Sequence, residues 1–253
     1  GRVLERFGSR FPLLVKFIDA RDDLSVQVHP DDNLAHARHG ALGKTEMWYV
    51  VQAAPGAALY SGFSRPIDAD EFRRRVEERT IMEVLKRYEV RPGDVFFLPA
   101  GRVHAIGAGC FVAEIQQTSD VTYRIYDYDR VGTDGRKREL HVAEALEAID
   151  YTFYADHRQP YTPRYDAVVK LIHCPYFTTH LLDLTTLPMT RDFARLDSFV
   201  IYLCMAGGVR LTDDLGHVRT IRRGQTVLLP ATTRQVTLTP DSDGVKLLET
   251  FIA

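Results

Sequence analysis

The chain has 253 residues, few cysteines, no strong charge of either sign and no long apolar run. Its formal net charge of -2 leaves no basic footprint for nucleic acid, and no like-charged block long enough to act as a binding tail occurs. Cys110, Cys174 and Cys204 are widely spaced and odd in number, which excludes a disulfide framework and a Cys-x-x-Cys metal knuckle. Reduced thiols, and with them a cytoplasmic location, are the expectation. No stretch approaches the roughly 20 apolar residues that span a bilayer, and no basic-then-apolar leader precedes the first strand-like run, so no membrane partner is expected either. The partner left by these exclusions is a small molecule, bound by a monomer or homodimer. Gly1 stands where an initiator methionine would, and the apolar run Phe11–Ile18 follows almost at once. A preceding segment is therefore expected in the native chain.

At 45% hydrophobic and 26% charged, the composition supports a real core in one large β domain or two modest ones. Strand signals dominate: 12–18, 24–28, 46–52, 94–98, 109–116 and 122–128, with a second series from Val168 onward. All are short, rich in Val, Ile, Phe and Tyr, and punctuated by Gly and Pro. Helical spacing is confined to 68–88, opened by acidic residues that suit a helix N-terminus, and to 142–149. Arg136-Lys137-Arg138 reads as a solvated turn.

One internal repeat organises the chain. Arg91-Pro-Gly-Asp-Val-Phe-Phe-Leu-Pro-Ala-Gly-Arg-Val-His104 aligns without gaps to Arg222-Arg-Gly-Gln-Thr-Val-Leu-Leu-Pro-Ala-Thr-Thr-Arg-Gln235, so two related β units are expected. Gln235 stands against His104, and the upstream strand of the second copy offers no ligand pair. The expected division is a metal-binding catalytic domain over 1–160 and a degenerate second domain over 161–253 without metal ligands. The linker is expected within 157–164.

Four residues of the first unit suggest one metal centre. Gln27 and His29 are two apart on a strand and share a face. Glu46 opens an apolar strand, where a carboxylate without a positive partner is costly to bury. His104 follows the Leu-Pro-Ala-Gly turn. Two imidazole nitrogens, a carboxylate oxygen and an amide oxygen suit zinc, with manganese, iron, cobalt and nickel also acceptable. Any one of these residues alone is better explained as surface or satisfied core; it is the joint occurrence, in the copy that kept its histidine, that points to metal. His36, His39, His141, His157, His173, His180 and His217 are read as structural or surface.

At these positions the sequence resembles the type I mannose-6-phosphate isomerases of the cupin superfamily, in their short bacterial form. The matching blocks are Leu24-Ser-Val-Gln-Val-His-Pro-Asp-Asp32, Gly43-Lys-Thr-Glu-Met-Trp-Tyr49, Leu98-Pro-Ala-Gly-Arg-Val-His-Ala-Ile106 and Ser119-Asp-Val-Thr-Tyr-Arg-Ile-Tyr-Asp-Tyr-Asp-Arg130. The resemblance implies an all-β tandem cupin with a few helices, zinc at Gln27, His29, Glu46 and His104, an active-site arginine at Arg124, and Lys44 and Glu114 lining a sugar-phosphate pocket. It also implies that most of the family's usual N-terminal region is lacking here.

The implied reaction interconverts mannose 6-phosphate and fructose 6-phosphate through an enediol. Arg124 alternates with Tyr123 and Ile125, so it can face the pocket and stabilise the enediolate or pair with phosphate; paired to Asp127 or Asp129, it would be an ordinary surface arginine. Glu114 and Lys44 are both candidate bases. Three rival readings fit the same ligand types: an iron-dependent cupin oxygenase, a sugar-phosphate-binding cupin without turnover, and a cupin glucose-6-phosphate isomerase.

Overall fold

The computed structural model describes residues 1–132 and 135–252, which form two compact units, one of Pro12–Arg158 and one of Gly1–Phe11 with Gln159–Ala253. Residues 1–11, expected in the first domain, thus cluster with the second, beginning with the short helix α1 (Arg2–Phe7).

The Pro12–Arg158 unit contains β1 (Leu13–Asp19), β2 (Val26–Val28), α2 (Asp32–His39), β3 (Glu46–Ala53), β4 (Ala58–Phe63), α3 (Ala69–Glu77), β5 (Leu85–Glu89), β6 (Val95–Leu98), β7 (His104–Ile106), β8 (Cys110–Gln117), β9 (Tyr123–Tyr126) and α4 (Val142–Ala148). They build two antiparallel sheets, ordered β1-β8-β3-β6 and β5-β4-β7-β2-β9. Alternation along the strands creates two cores. Trp48, Val50, Phe96, Leu98 and Val112 of the first sheet meet Leu59 and Ile106 of the second in the barrel interior. Val26, Val28, Ala105, Tyr123 and Ile125 leave the other face of the second sheet and pack against Phe72 of α3 and Ala145 of α4. The helices therefore close the outside of the barrel and leave its interior face for other side chains.

The helical spacing read over 68–88 holds only to Glu77. Asp68 caps α3 by accepting from the Glu71 N–H, Arg79 turns the chain at φ 61, and a 3-10 turn (Ile81–Glu83) leads into β5. Leu85 and Tyr88 are three apart, which would place them on one face of a helix. On a strand the same spacing sends them to opposite faces, and each finds its own core.

The second unit repeats the plan with β10 (Val168–His173), β11 (Thr178–Leu184), β12 (Met189–Asp192), β13 (Val200–Ala206), β14 (Gly208–Asp213), β15 (Val218–Arg222), β16 (Thr226–Leu229), β17 (Gln235–Pro240) and β18 (Val245–Phe251). Its sheets run β10-β11-β18-β13-β16 and β12-β17-β14-β15, around Leu182, Val200, Val209, Leu229, Val236, Leu238 and Leu247. The order β11-β18-β13-β16 reproduces β1-β8-β3-β6 of the first unit. The gapless alignment of His104 to Gln235 needs correcting by one residue: Gln235 is exposed, and Val236 takes the inward place. Both turns span five residues, 99–103 and 230–234, but β7 opens on its inward-facing residue whereas β17 opens on an outward-facing one, so the inward position falls one residue later in the second copy.

Inside the second barrel lies the fully buried carboxylate of Glu249. It accepts from His180 Nδ1 at 3.0 Å, Arg191 Nε at 2.8 Å, Arg191 Nη2 at 2.9 Å and the Tyr202 hydroxyl at 2.7 Å. Burial alone would raise this carboxyl. The donors outweigh burial and hold it at about 2. Because the folded value lies below the unfolded one, the stabilisation is complete above the unfolded carboxylate range and is lost as pH falls from about 4.3 toward 2. The full stabilisation is on the order of 3 kcal/mol, of which about 2 kcal/mol is expected to be lost between pH 7 and pH 3, read by urea unfolding at those two pH values. Glu249→Gln should lower stability at pH 7 and flatten this part of the acid dependence; an unchanged pH 3 to 7 difference in that variant would refute the assignment.

Candidate metal centre

Register brings the expected ligands together from both sheets. On the five-stranded sheet Gln27 pairs with His104 and also with Arg124, while Ser61 pairs with His104. Cross-strand partners share a face, so Ser61, His104, Gln27 and Arg124 form one row on the interior side. Glu46 comes from β3 of the opposite sheet. His29 follows β2 by one residue, and its ring centroid lies 4.8 Å from that of His104.

The two imidazoles are oriented by the backbone. His104 Nδ1 donates to the Arg102 carbonyl at 2.8 Å and His29 Nδ1 donates to the Val121 carbonyl at 3.0 Å. Each ring therefore turns its Nε2 lone pair inward, the arrangement in which histidine ligates a metal. These lone pairs meet the Glu46 carboxylate, with His104 Nε2 at 3.2 Å from Oε1 and His29 Nε2 at 3.6 Å from Oε2. Ligand atoms of His29, Glu46 and His104 all lie within 4.8 Å of one another, and all three residues are buried. Neither Glu46 oxygen receives a well-directed hydrogen bond. Three electron-rich groups facing each other in a dry interior require a cation. The Lys44 ammonium partly fills that need, with Nζ at 3.0 Å from Glu46 Oε2 and 3.1 Å from His29 Nε2. Burial would raise the Glu46 carboxyl, but Lys44, His104 and His29 together hold it well below the usual range. Burial first, and then Lys44, push His29 far below its ordinary value, so the ring is neutral and its lone pair is available.

Gln27 completes the set. Its amide nitrogen lies 3.3 Å from His104 Nε2, and a half-turn of the amide presents the oxygen at the same place. A carboxylate, two imidazoles and an amide oxygen are a donor set for a divalent transition metal, and a buried Glu46 carboxylate without a hydrogen bond gives the physical reason to bind one.

The other expected residues fall around this centre with different degrees of engagement. Lys44 is at its heart. Arg124 leaves β9 beside Gln27; its Nη1 donates to the Glu139 carbonyl at 2.9 Å and its buried Nε has no partner. No ion pair to Asp127 or Asp129 holds it; Asp127 is taken by Arg130 and Arg138, Asp129 by Arg79 and Lys137. Glu114 lies one row further along the first sheet, buried, accepting from Lys16 Nζ and Trp48 Nε1 at 2.9 Å each. Trp48 in turn meets the His104 ring edge-on at 5.3 Å. Sequence reasoning missed Lys16, which also donates to Gln116 Oε1 at 2.6 Å. Its only signal was a lysine inside an apolar strand. It missed as well the two carbonyls that orient the histidines, because backbone acceptors have no residue-type signature.

An all-β cupin-type barrel holding a two-histidine, one-carboxylate centre defines the class of protein. The description "Phosphomannose isomerase type I, catalytic domain" matches residues 1–49. The chain is 36% identical over 226 residues to mannose-6-phosphate isomerase ManA of Bacillus subtilis, covering 88% of this chain and 70% of that protein. It is 35% identical over 229 residues to mannose-6-phosphate isomerase of Streptococcus mutans, with the same coverages. The crystal structure of mannose 6-phosphate isomerase from Bacillus subtilis superposes with a TM-score of 0.85 at 30% identity, covering 96% of this chain and 76% of that one. The chain belongs to the type I mannose-6-phosphate isomerase family.

Replacing a ligand should release metal without unfolding the barrel. Glu46→Gln and His104→Ala are expected to weaken retention by more than the roughly 10–100-fold typical of outer-shell changes, measured by metal analysis after dialysis against graded chelator. Stoichiometric metal in both variants would show that the ion binds elsewhere.

Proposed function

We propose that this chain is a metal-dependent aldose–ketose isomerase that interconverts mannose 6-phosphate and fructose 6-phosphate through an enediol, with Gln27, His29, Glu46 and His104 holding zinc or a related divalent ion. The observation that carries the reading is the buried Glu46 carboxylate facing two inward imidazole lone pairs with no hydrogen bond of its own, in a member of a family whose relatives bear that activity in their names.

The reaction removes a proton beside a carbonyl and returns it to the neighbouring carbon. A bound divalent ion supplies Lewis-acid stabilisation of the charge that develops on the sugar oxygens. Arg124 carries a permanently charged guanidinium on the same face as Gln27. With one nitrogen buried and unpartnered, it is placed to stabilise enediolate charge or to orient the phosphate. Lys44, whose ammonium now lies on Glu46 and His29, would be released from these partners with an ion bound there and could then donate to a substrate oxygen or move a proton. The apolar floor of Trp48, Leu59, Phe96 and Ile106 excludes water from one side of the centre. Gln27, as a fourth ligand, leaves less room for oxygen and substrate together, which weighs against the oxygenase reading. Cys110, Cys174 and Cys204 are free thiols, in keeping with a reducing, cytoplasmic setting.

The test is a coupled assay on mannose 6-phosphate with the metal-loaded protein, with and without chelator. Turnover that disappears on chelation and returns with zinc is expected; no turnover in the metal-loaded chain would defeat the proposal and leave a binding role. Arg124→Ala should retain its metal while kcat falls by roughly 100- to 1000-fold, the size of a lost charge-stabilising donor. A near-normal kcat would remove Arg124 from the mechanism.

A further inference from the structure

The second barrel is an internal control for the first. In the four-stranded sheet of the first unit, Lys16 pairs with Glu114, Glu114 with Trp48, and Trp48 with Phe96. The corresponding row of the second unit is His180, Glu249, Tyr202 and Val227. Each row places a buried carboxylate between a basic side chain and an aromatic hydrogen-bond donor.

The metal positions do not share this persistence. Glu46 pairs with Leu98, and Val200 with Leu229, so Val200 stands in the place of Glu46. Gln27 pairs with His104, and Arg191 with inward-facing Val236, so those two stand in the places of Gln27 and His104. Two residues beyond Arg191, the buried Phe193 stands in the place of His29. The second barrel thus has one guanidinium and three apolar side chains where the first has four ligands. Arg191 forks onto Glu249 across the two sheets of its barrel, supplying from within a cross-sheet cation of the kind that an ion would supply in the first.

A barrel that has lost every metal ligand keeps the carboxylate, its aromatic donor and its basic neighbour. We infer that Glu114 is a positioning residue, anchoring the Trp48 indole that braces the His104 ring, and that it takes no proton from the sugar. Glu114 Oε2 receives Trp48 Nε1, Oε1 receives Lys16 Nζ, and the indole stands edge-on to His104 with an interplanar angle of 80°. This inference rests on the isomerase reading only for the proton-transfer role it denies.

Trp48 is the chain's sole tryptophan, so its emission reports on this contact in the full-length protein without any assay of turnover. Glu114→Ala and the milder Glu114→Gln are the variants. The expected result is a shifted Trp48 emission and metal retention weakened by roughly 10–100-fold, as for other outer-shell supports, with Gln recovering part of both. At saturating metal kcat should return to within about tenfold of the wild type. Glu249→Gln should leave kcat and KM unchanged. Unaltered emission and metal affinity in both Glu114 variants would overturn the inference. So would a kcat loss beyond about 1000-fold at saturating metal in Glu114→Gln, the mark of a lost acid–base group. Absence of turnover in the wild type would instead defeat the isomerase reading, leaving the emission and metal measurements to decide the role of Glu114.

Discussion

The first unit is organised around a carboxylate set deep in an apolar interior. Glu46 is fully buried at the start of a central strand, and the groups nearest its oxygens are the Lys44 ammonium and two imidazole nitrogens whose lone pairs point at it. Uncompensated, such a charge in an apolar interior costs several kcal/mol. The surroundings are consistent with a cation at this point: carbonyls of Arg102 and Val121 fix the histidine tautomers, Lys44 lies within the cluster, and the apolar floor keeps the opposite side dry. The same electrostatic demand for a cation would suit such a centre to stabilise negative charge on a substrate.

The two barrels show alternative answers to one architectural problem. Each must join its two sheets across an interior that has acquired charge. In the second, Arg191 reaches from β12 to Glu249 on β18, and every polar atom of that carboxylate is matched by a donor. A covalently attached guanidinium needs no ion and leaves no open coordination position. In the first, the cation the structure places on the carboxylate is the Lys44 ammonium, and the two imidazole lone pairs beside it form a donor set that an exchangeable ion would suit. The second centre is closed by a carboxylate whose acceptors are all filled, and the first leaves imidazole lone pairs facing its carboxylate.

The helices contribute by staying outside. α3 and α4 cover the outer face of the five-stranded sheet, which commits Tyr123, Ile125, Val26 and Val28 to that side. Alternation then sends Arg124 and Gln27 inward. The position of the candidate arginine thus follows from apolar packing on the opposite face of the same strand.

Much of the centre was legible in the residues themselves. A two-residue spacing put Gln27 and His29 on one face, an apolar strand made Glu46 conspicuous, and a proline turn marked His104; these are local properties, because side-chain direction along a strand alternates with period two whatever lies beside it. The helix misread over 78–88, the one-residue shift that gives Val236 rather than Gln235 the inward place, and the partnership of Lys16 with Glu114 were not legible. Each depends on which strands pair and in what register, and hydrogen bonding between strands distant in the chain is decided by packing both faces of a sheet at once. The amino-acid order alone therefore determined the types of candidate donor and the face each would take, while only the tertiary structure decided which of them meet, which amine stands among them, and that the second barrel closes its centre with an arginine.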